Sequence, residues 1–411
     1  MSVLRRLAGP GLIFTGAAIG TSHLVQSTRA GALFGAALIG VIVLANVLKY
    51  PAYRFGMDFA QARGRSLLTG YRELGLWALL LFLIALAPLV PIIWAALGAA
   101  TAGIVTVVIG PMMPVPMLAG VILGIATCLL LIGGYKLLDR VNAVLLAFLV
   151  ISTVLTTLMV LPSVEWSTMV DFSWTGEVAA LLFIVALAGF MPNPMDVSVP
   201  LSLWKIEADH PLPDNEKATL EQTRKSFFWP YVMTTIMAVC FCIMGAGVMY
   251  TQGIAPLADA PGFAGQLVGL YREALGPGAA VLAGIAALSV MLTTVIAGID
   301  AYARTYVASY SILTGRDDVS YSRTEYTVFC LLFLAVAFIT IFTLLSDLTT
   351  FLDFVTSASF VIAPGIALLN HLVVTRCDLP EEARPSVAAR VHNWLAIVIM
   401  SALAICYFVL I

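Results

Sequence analysis

The sequence predicts an all-α polytopic membrane protein, on three observations. Apolar residues make up 61% of the 411 residues and charged residues only 11%, against roughly 45–50% and 25% in a globular chain. The mean hydropathy is +1.01. Eleven apolar stretches can each cross a ~30 Å hydrocarbon layer: 11–30, 33–53, 74–98, 114–133, 141–161, 178–203, 228–250, 279–308, 326–344, 350–371 and 392–411. This composition excludes a soluble enzyme, a disordered chain and a nucleic-acid binder. The net charge of −2 says nothing about partners.

The first span follows Arg5 and Arg6 and carries many polar residues. Its apolar run leads directly into span two, without a small-x-small cleavage site and polar mature sequence, so it reads as a retained helix rather than a signal peptide. Arg54, Arg63, Arg65 and Arg72 follow span two. Lys136 and Arg140 follow span four, and Lys205, Lys217, Arg224 and Lys225 follow span six. Arg316 and Arg323 follow span eight, and Arg376, Arg384 and Arg390 follow span ten. All fall on one side if the chain starts inside. The opposite loops hold Glu165, Asp171, Asp259 and Glu273, with Arg272 the clear basic residue. The basic-inside bias therefore predicts a multi-pass cell (inner) membrane protein with a cytoplasmic N-terminus and an outside C-terminus. Loop 206–227 has room for a short surface helix. Loop 251–278, rich in Gly, Pro and Ala, reads as a structured cap or a mobile gate. Cys128, Cys240, Cys242, Cys330, Cys377 and Cys406 form no C-x-x-C pair, and all but Cys377 lie in apolar segments. They read as small core hydrophobes.

Two spans cannot be regular helices. Span one contains Gly16, Gly20, Thr21, Ser22, His23, Gln26, Ser27 and Thr28; span six contains Gly189, Pro192, Pro194 and Pro200. Each proline removes a backbone donor and clashes with the preceding turn. Non-helical backbone at membrane depth survives only against protein or a wet cavity. The two breaks are five spans apart. Five is odd, so spans 1–5 and 6–10 cross in opposite senses, as an inverted 5+5 repeat with span eleven outside it. The predicted units are 1–162, 163–371 and 372–411. Broken helices at matching places of inverted halves mark the midplane site of a secondary transporter.

Here the sequence resembles the Nramp family of proton-coupled divalent metal transporters, which have the LeuT-like fold. The resemblance runs from Gly9–Pro10–Gly11 to about residue 371. It rests on that GPG, on AGALFG at Ala30–Gly35, on Ala188–Gly189–Phe190–Met191–Pro192 in span six, and on the eleven spans and their sidedness. It implies metal contacts from the Ala188 carbonyl and the Met191 thioether. The family's Asp-Pro-Gly-Asn is here Gly20–Thr21–Ser22–His23, so Gly20 stands at the metal-binding Asp and His23 at the Asn. The family's Met-Pro-His-Asn is here Met191–Pro192–Asn193–Pro194.

With that carboxylate missing, other ionisable residues become candidates, because such groups inside spans are costly. His23 is a metal ligand, a proton shuttle or a packing histidine. Asp196, two residues beyond Pro194, either replaces the missing charge at Gly20 or caps the resumed helix. Asp300 and Arg304, four apart in span eight, fit an ion pair that relays protons or locks the helix. Asp353, with Thr356, Ser357 and Ser359, points toward a polar interior, and Asp347 toward the outer surface. Asn193 belongs to the pathway. Asn46, Lys49 and Asn142 are weaker candidates, and Lys49 reads as snorkelling to the inner headgroups.

The expected function is secondary active, proton-coupled transport of a divalent cation, Mn²⁺, Fe²⁺ or Mg²⁺, by alternating access. The alternatives are an Nramp-related Mg²⁺ carrier without strict proton coupling, or a cation-coupled carrier of a small organic solute. Acidic oxygens would suit Mg²⁺, whereas Met191 and His23 favour softer metals. An HExxH, nucleophile or paired-carboxylate motif at one membrane face, a filter-like repeat and a GxxxxGK[ST] loop are all lacking. That argues against an enzyme, a channel and an ATP-driven pump. No cofactor is expected. The expected partners are the lipid bilayer, a small cation and protons, with no nucleic acid; the sequence leaves the oligomeric state open, with a monomer plausible.

Overall fold

The computed structural model describes residues 3–133, 136–210, 212–213, 216–317, 322–345 and 347–410; the side chains of residues 3–9, 12 and 136–143 lie outside this description. The described residues form α-helices and short 3₁₀ and π turns, with no strand among them.

The first predicted span is α1 (Val3–Ala18), a π-turn over Ser22–Ser27, and α2 (Thr28–Phe34). The second is α3 (Ile39–Arg63), which runs ten residues beyond the predicted limit at 53. A short α4 (Leu67–Leu74), not anticipated from the sequence, leads into the third span, α5 (Leu76–Leu86) and α6 (Leu89–Val108). Then come α7 (Val115–Ile132) and α8 (Lys136–Val160). The sixth span is again split, into α9 (Val178–Gly189) and α10 (Ser198–Asp209). It is followed by α11 (Leu220–Met244), α12 (Ala260–Leu275), α13 (Pro277–Leu313), α14 (Arg323–Leu344), α15 (Leu348–Arg376) and α16 (Val387–Leu410). Eight described helical segments are long and apolar enough to cross a membrane. The two broken spans and the more polar α3 complete the predicted set of eleven.

Several boundaries follow from local chemistry. Thr219 and Gln222 form a capping box at α11, and Ser322 and Glu325 form one at α14; each satisfies two free helix-end N–H groups. Asp259 and Asp347 accept the Gly262 and Thr350 N–H groups at the starts of α12 and α15. Loop 251–278 is therefore a structured cap: α12 packs on α6, α8 and α13.

The split helices lie at the centre. α1 packs on α11 and α13, α9 on α15, and α10 on α3. Small residues permit this closeness. A Cβ on Gly31 would lie 1.9 Å from the Cys242 carbonyl oxygen, and one on Gly245 2.2 Å from that of Thr28. In lipid, where apolar burial gives helices little reason to associate, such backbone approach is a main source of packing energy. The outward faces carry the exposed apolar side chains, for example Leu332, Ile339 and Phe342 of α14 and Val398, Ile405 and Phe408 of α16. These face hydrocarbon.

Candidate functional site

Both interruptions fall where the sequence places them. α1 stops at Ala18, turns at Ile19–Gly20, and resumes as the wider π-turn. α9 stops at Gly189 and regular helix resumes only at Ser198. Ending a helix frees its last carbonyls, and at the second break five backbone carbonyls accept from side chains of other elements. Lys49 Nζ of α3 donates to the Ala188 and Gly189 oxygens at 2.6 and 2.8 Å. The Tyr53 hydroxyl, one turn along α3, is shared between the Asn193 and Pro194 oxygens at 2.6 and 2.7 Å. Ser22 of the first break reaches the Pro192 oxygen at 3.4 Å, and Asn193 Nδ2 reaches the Phe14 oxygen at 3.3 Å. The two breaks are thus bonded to each other and to α3.

Between them lies a cavity of about 40 Å³, room for roughly three waters. Thr21 and Ser22 line it from the first break, Asn193 and Pro194 from the second, Leu97 from α6, and Thr294, Gly298 and Tyr302 from α13. Its polar side chains are four hydroxyls, one amide and the Trp204 indole, and no charged side chain is part of the wall.

The sequence-predicted residues divide around this cavity. Asn193 lines it. Gly20 packs behind the wall, where a Cβ would meet the Thr294 methyl at 2.8 Å, so any side chain there would have to push the Thr294 side chain aside. His23 is fully buried, with Nδ1 2.8 Å from the Ser22 hydroxyl and Nε2 2.9 Å from the Thr234 oxygen. Both ring nitrogens are engaged in this conformation. Met191 is fully buried, and its sulfur lies 4.0 Å from the Ser27 hydroxyl. The Ala188 carbonyl is held by Lys49. Asp196 is fully buried, in the short turn Met195–Val197 before α10. Neither carboxylate oxygen makes a hydrogen bond of regular geometry, although the Tyr302 hydroxyl is turned toward it. Among the described residues, no group of three or more His, Cys, Asp or Glu side chains comes together.

The pathway candidates lie apart. Arg304 Nε meets both Asp300 oxygens at 2.7 and 2.8 Å, and its NH1 meets Glu207 at 2.6 Å. Tyr326 donates to Asp300 at 2.8 Å. This cluster ties α13 to α10 and α14 outside the cavity. Asp353 takes a two-pronged bond from Arg29, at 2.6 and 2.9 Å, and a third bond from Gln26 at 2.9 Å. Gln26 also reaches Thr356 at 3.3 Å. The Arg29 guanidinium lies 5.0 Å from the centre of the Phe183 ring. This network joins α2, α9 and α15 on the α2 side of the breaks. On the α1 side, Asp58 receives Arg224 at 2.9 and 3.0 Å and Arg54 at 3.2 Å. The Asn142 side chain lies outside the described residues.

Lys49 corrects one reading. It does not snorkel: it is 1% exposed and sits well inside α3, because α3 continues to Arg63. The signal was the stripe Asn46, Lys49, Tyr53, at three- and four-residue spacing on one helix face. Arg29, Tyr53 and Tyr302 were not singled out from the sequence at all.

Comparisons with known proteins agree on family and fold. Residues 11–410 match the family model described as natural resistance-associated macrophage protein-like (Nramp). An uncharacterized protein of Pasteurella multocida (strain Pm70) is 32% identical over 375 residues, covering 90% of this chain and 84% of that one. The manganese transporter of Eremococcus coleocola superposes with a TM-score of 0.67 at 14% identity, over 98% of this chain and 86% of that chain. MhsT in complex with L-phenylalanine superposes with a TM-score of 0.69 at 13% identity, over 100% of this chain and 98% of that chain. Both structures share the LeuT-like fold. The chain belongs to the Nramp family: it is a polytopic LeuT-fold membrane transporter and not an enzyme.

Proposed function

We propose that this transporter moves a divalent metal cation across the cell membrane by proton-coupled alternating access, with its site between the two breaks. The observation that carries this reading is Asp196, a fully buried carboxylate beside the second break whose oxygens lack regular hydrogen bonds. Burying such a group without hydrogen bonds to its oxygens is costly even with the Lys49 charge acting on it, and a cation brought to those oxygens would offset that cost. Family membership supports the same cargo class, as does the likeness to a protein named a manganese transporter. Asp196 supplies the charge that Gly20 lacks. Asn193 and the Tyr302 hydroxyl, on the cavity wall, supply neutral oxygens. Ala188, Met191 and His23 stand behind that wall and reach the cargo only when the breaks rearrange.

The N-terminus is cytoplasmic in this reading and the membrane is the inner one. The α2 side of the breaks then faces outside, where the Arg29–Asp353 bond closes the path, and Asp300, Arg304 and Glu207 lie toward the inside. In a cysteine-free background, single cysteines in loops 54–73 and 206–227 should react only from the cytoplasm, and those in 162–177 and 251–278 only from outside. Outside labelling of 206–227 would reverse the assignment.

Purified protein in vesicles loaded with a metal-quenched dye should show saturable Mn²⁺ entry, faster with protons supplied on the cation side. One observation favours a second reading: the cavity wall is neutral, with hydroxyls over an apolar surface, which suits a small organic solute. If Mn²⁺, Fe²⁺ and Mg²⁺ all enter no faster than into protein-free vesicles, the metal reading fails and the organic-solute reading takes its place.

A further inference from the structure

The Lys49 amine occupies the carbonyl end of α9 at the second break. We propose that Lys49 is a tethered ion: its ammonium fills the seat that the freed carbonyls of Ala188 and Gly189 would otherwise offer to a free monovalent cation. This inference concerns the ion built into the break rather than the cargo, so it stands or falls separately from the proposed function.

Three features define the seat. The C-terminal end of a helix carries partial negative charge on unsatisfied carbonyls, and α9 ends at Gly189 inside the bundle. Half-helix ends of this kind coordinate cations in transporters built on broken helices. The Lys49 contacts, 2.6 and 2.8 Å, are the lengths of charge-assisted hydrogen bonds rather than of chance proximity. Lys49 is also 1% exposed, so its charge has left water and must be met by protein. Two carbonyl oxygens and the α9 end meet it directly, and Asp196 acts on it through its charge. The Tyr53 hydroxyl, on the same face of α3, contacts the Asn193 and Pro194 carbonyls farther along the break. The two side chains together meet the carbonyls of residues 188, 189, 193 and 194.

Tethering has a clear consequence. A covalently attached ammonium is present at a high effective concentration whatever the ionic composition of the medium. The break therefore holds its shape without sodium or potassium, and a free monovalent ion has no vacancy to enter.

The test is thermal unfolding of the purified full-length protein, in NaCl, KCl or choline chloride at equal ionic strength, with no cargo present. Wild type should unfold at the same temperature in all three. Lys49→Met keeps much of the side-chain bulk and empties the seat of charge. It should unfold earlier in choline chloride and recover by a few degrees, saturably, as Na⁺ or K⁺ is titrated in. Lys49→Arg keeps a cation in place and should remain indifferent to the salt. A saturable Na⁺ or K⁺ response of wild type would overturn the proposal, and this arm needs no variant to fold. So would a Lys49→Met protein that responds to salt as wild type does, or a Lys49→Arg protein that acquires a selective Na⁺ response.

Discussion

Asp196→Asn is expected to weaken divalent-cation binding by roughly 100-fold or more in titration calorimetry on the purified protein. The estimate follows from Coulomb's law. A unit charge pair about 4 Å apart is worth about 4 kcal/mol at an effective dielectric near 20, and each 1.4 kcal/mol is about tenfold in affinity. A dication feels the charge twice over, while part of the gain is lost to dehydrating both groups. Asn keeps the shape of the side chain and its place beside Tyr302, so the comparison isolates charge. Asp196→Glu should keep part of the affinity. No acid lies anywhere in residues 1–57, so the first break cannot compensate. Asp353 cannot either, because its carboxylate is held by Arg29 and Gln26. Asp300 is held by Arg304 and Tyr326. Unchanged affinity in Asp196→Asn would remove Asp196 from the site.

The second large effect is expected at the Arg29–Asp353 bond. It links α2 to α15 by a two-pronged contact, with Arg29 8% and Asp353 32% exposed at the side chain. Breaking a fully buried pair costs about 3–5 kcal/mol, and the partial exposure of Asp353 reduces this to about 1–3 kcal/mol. Asp353→Asn should therefore raise the population open to the outside roughly tenfold or more. The readout is the rate at which an impermeant thiol reagent, added outside, labels a cysteine placed at Thr21 on the cavity wall. Equal labelling rates with and without Asp353→Asn would mean that this bond does not close the path.

Much of the fold is legible in the sequence because the bilayer leaves few choices. Spans must be apolar and about 20 residues long, so their number and order can be read directly. The breaks are equally plain: Pro192, Pro194 and Pro200 cannot share one regular helix. The Asp300–Arg304 pair is readable because both partners lie on one helix, four residues apart. The site is less legible for a physical reason. Its bonds join elements far apart in the chain: Lys49 lies 139 residues from Ala188, and Arg29 lies 324 from Asp353. Nothing local to Lys49 states that its partner is a freed carbonyl of α9. The directions of His23 and Met191 are hidden for another reason. Helical periodicity fixes which way a side chain points, and it is suspended where the helix becomes a π-turn or an extended loop. His23 turns to Thr234 and Met191 to Ser27, and the cavity is lined instead by Thr21, Ser22 and Asn193.

The central claim is that a divalent cation is bound between the two breaks and held by Asp196. It is tested most directly by diffraction from crystals of the wild-type protein grown with Mn²⁺, with data collected on both sides of the manganese absorption edge. The account predicts an anomalous peak in or beside the cavity between Ser22 and Asn193, within coordination distance of an Asp196 oxygen, and no such peak in Asp196→Asn. A peak at another place in the protein, or one that persists unchanged in Asp196→Asn, would contradict it.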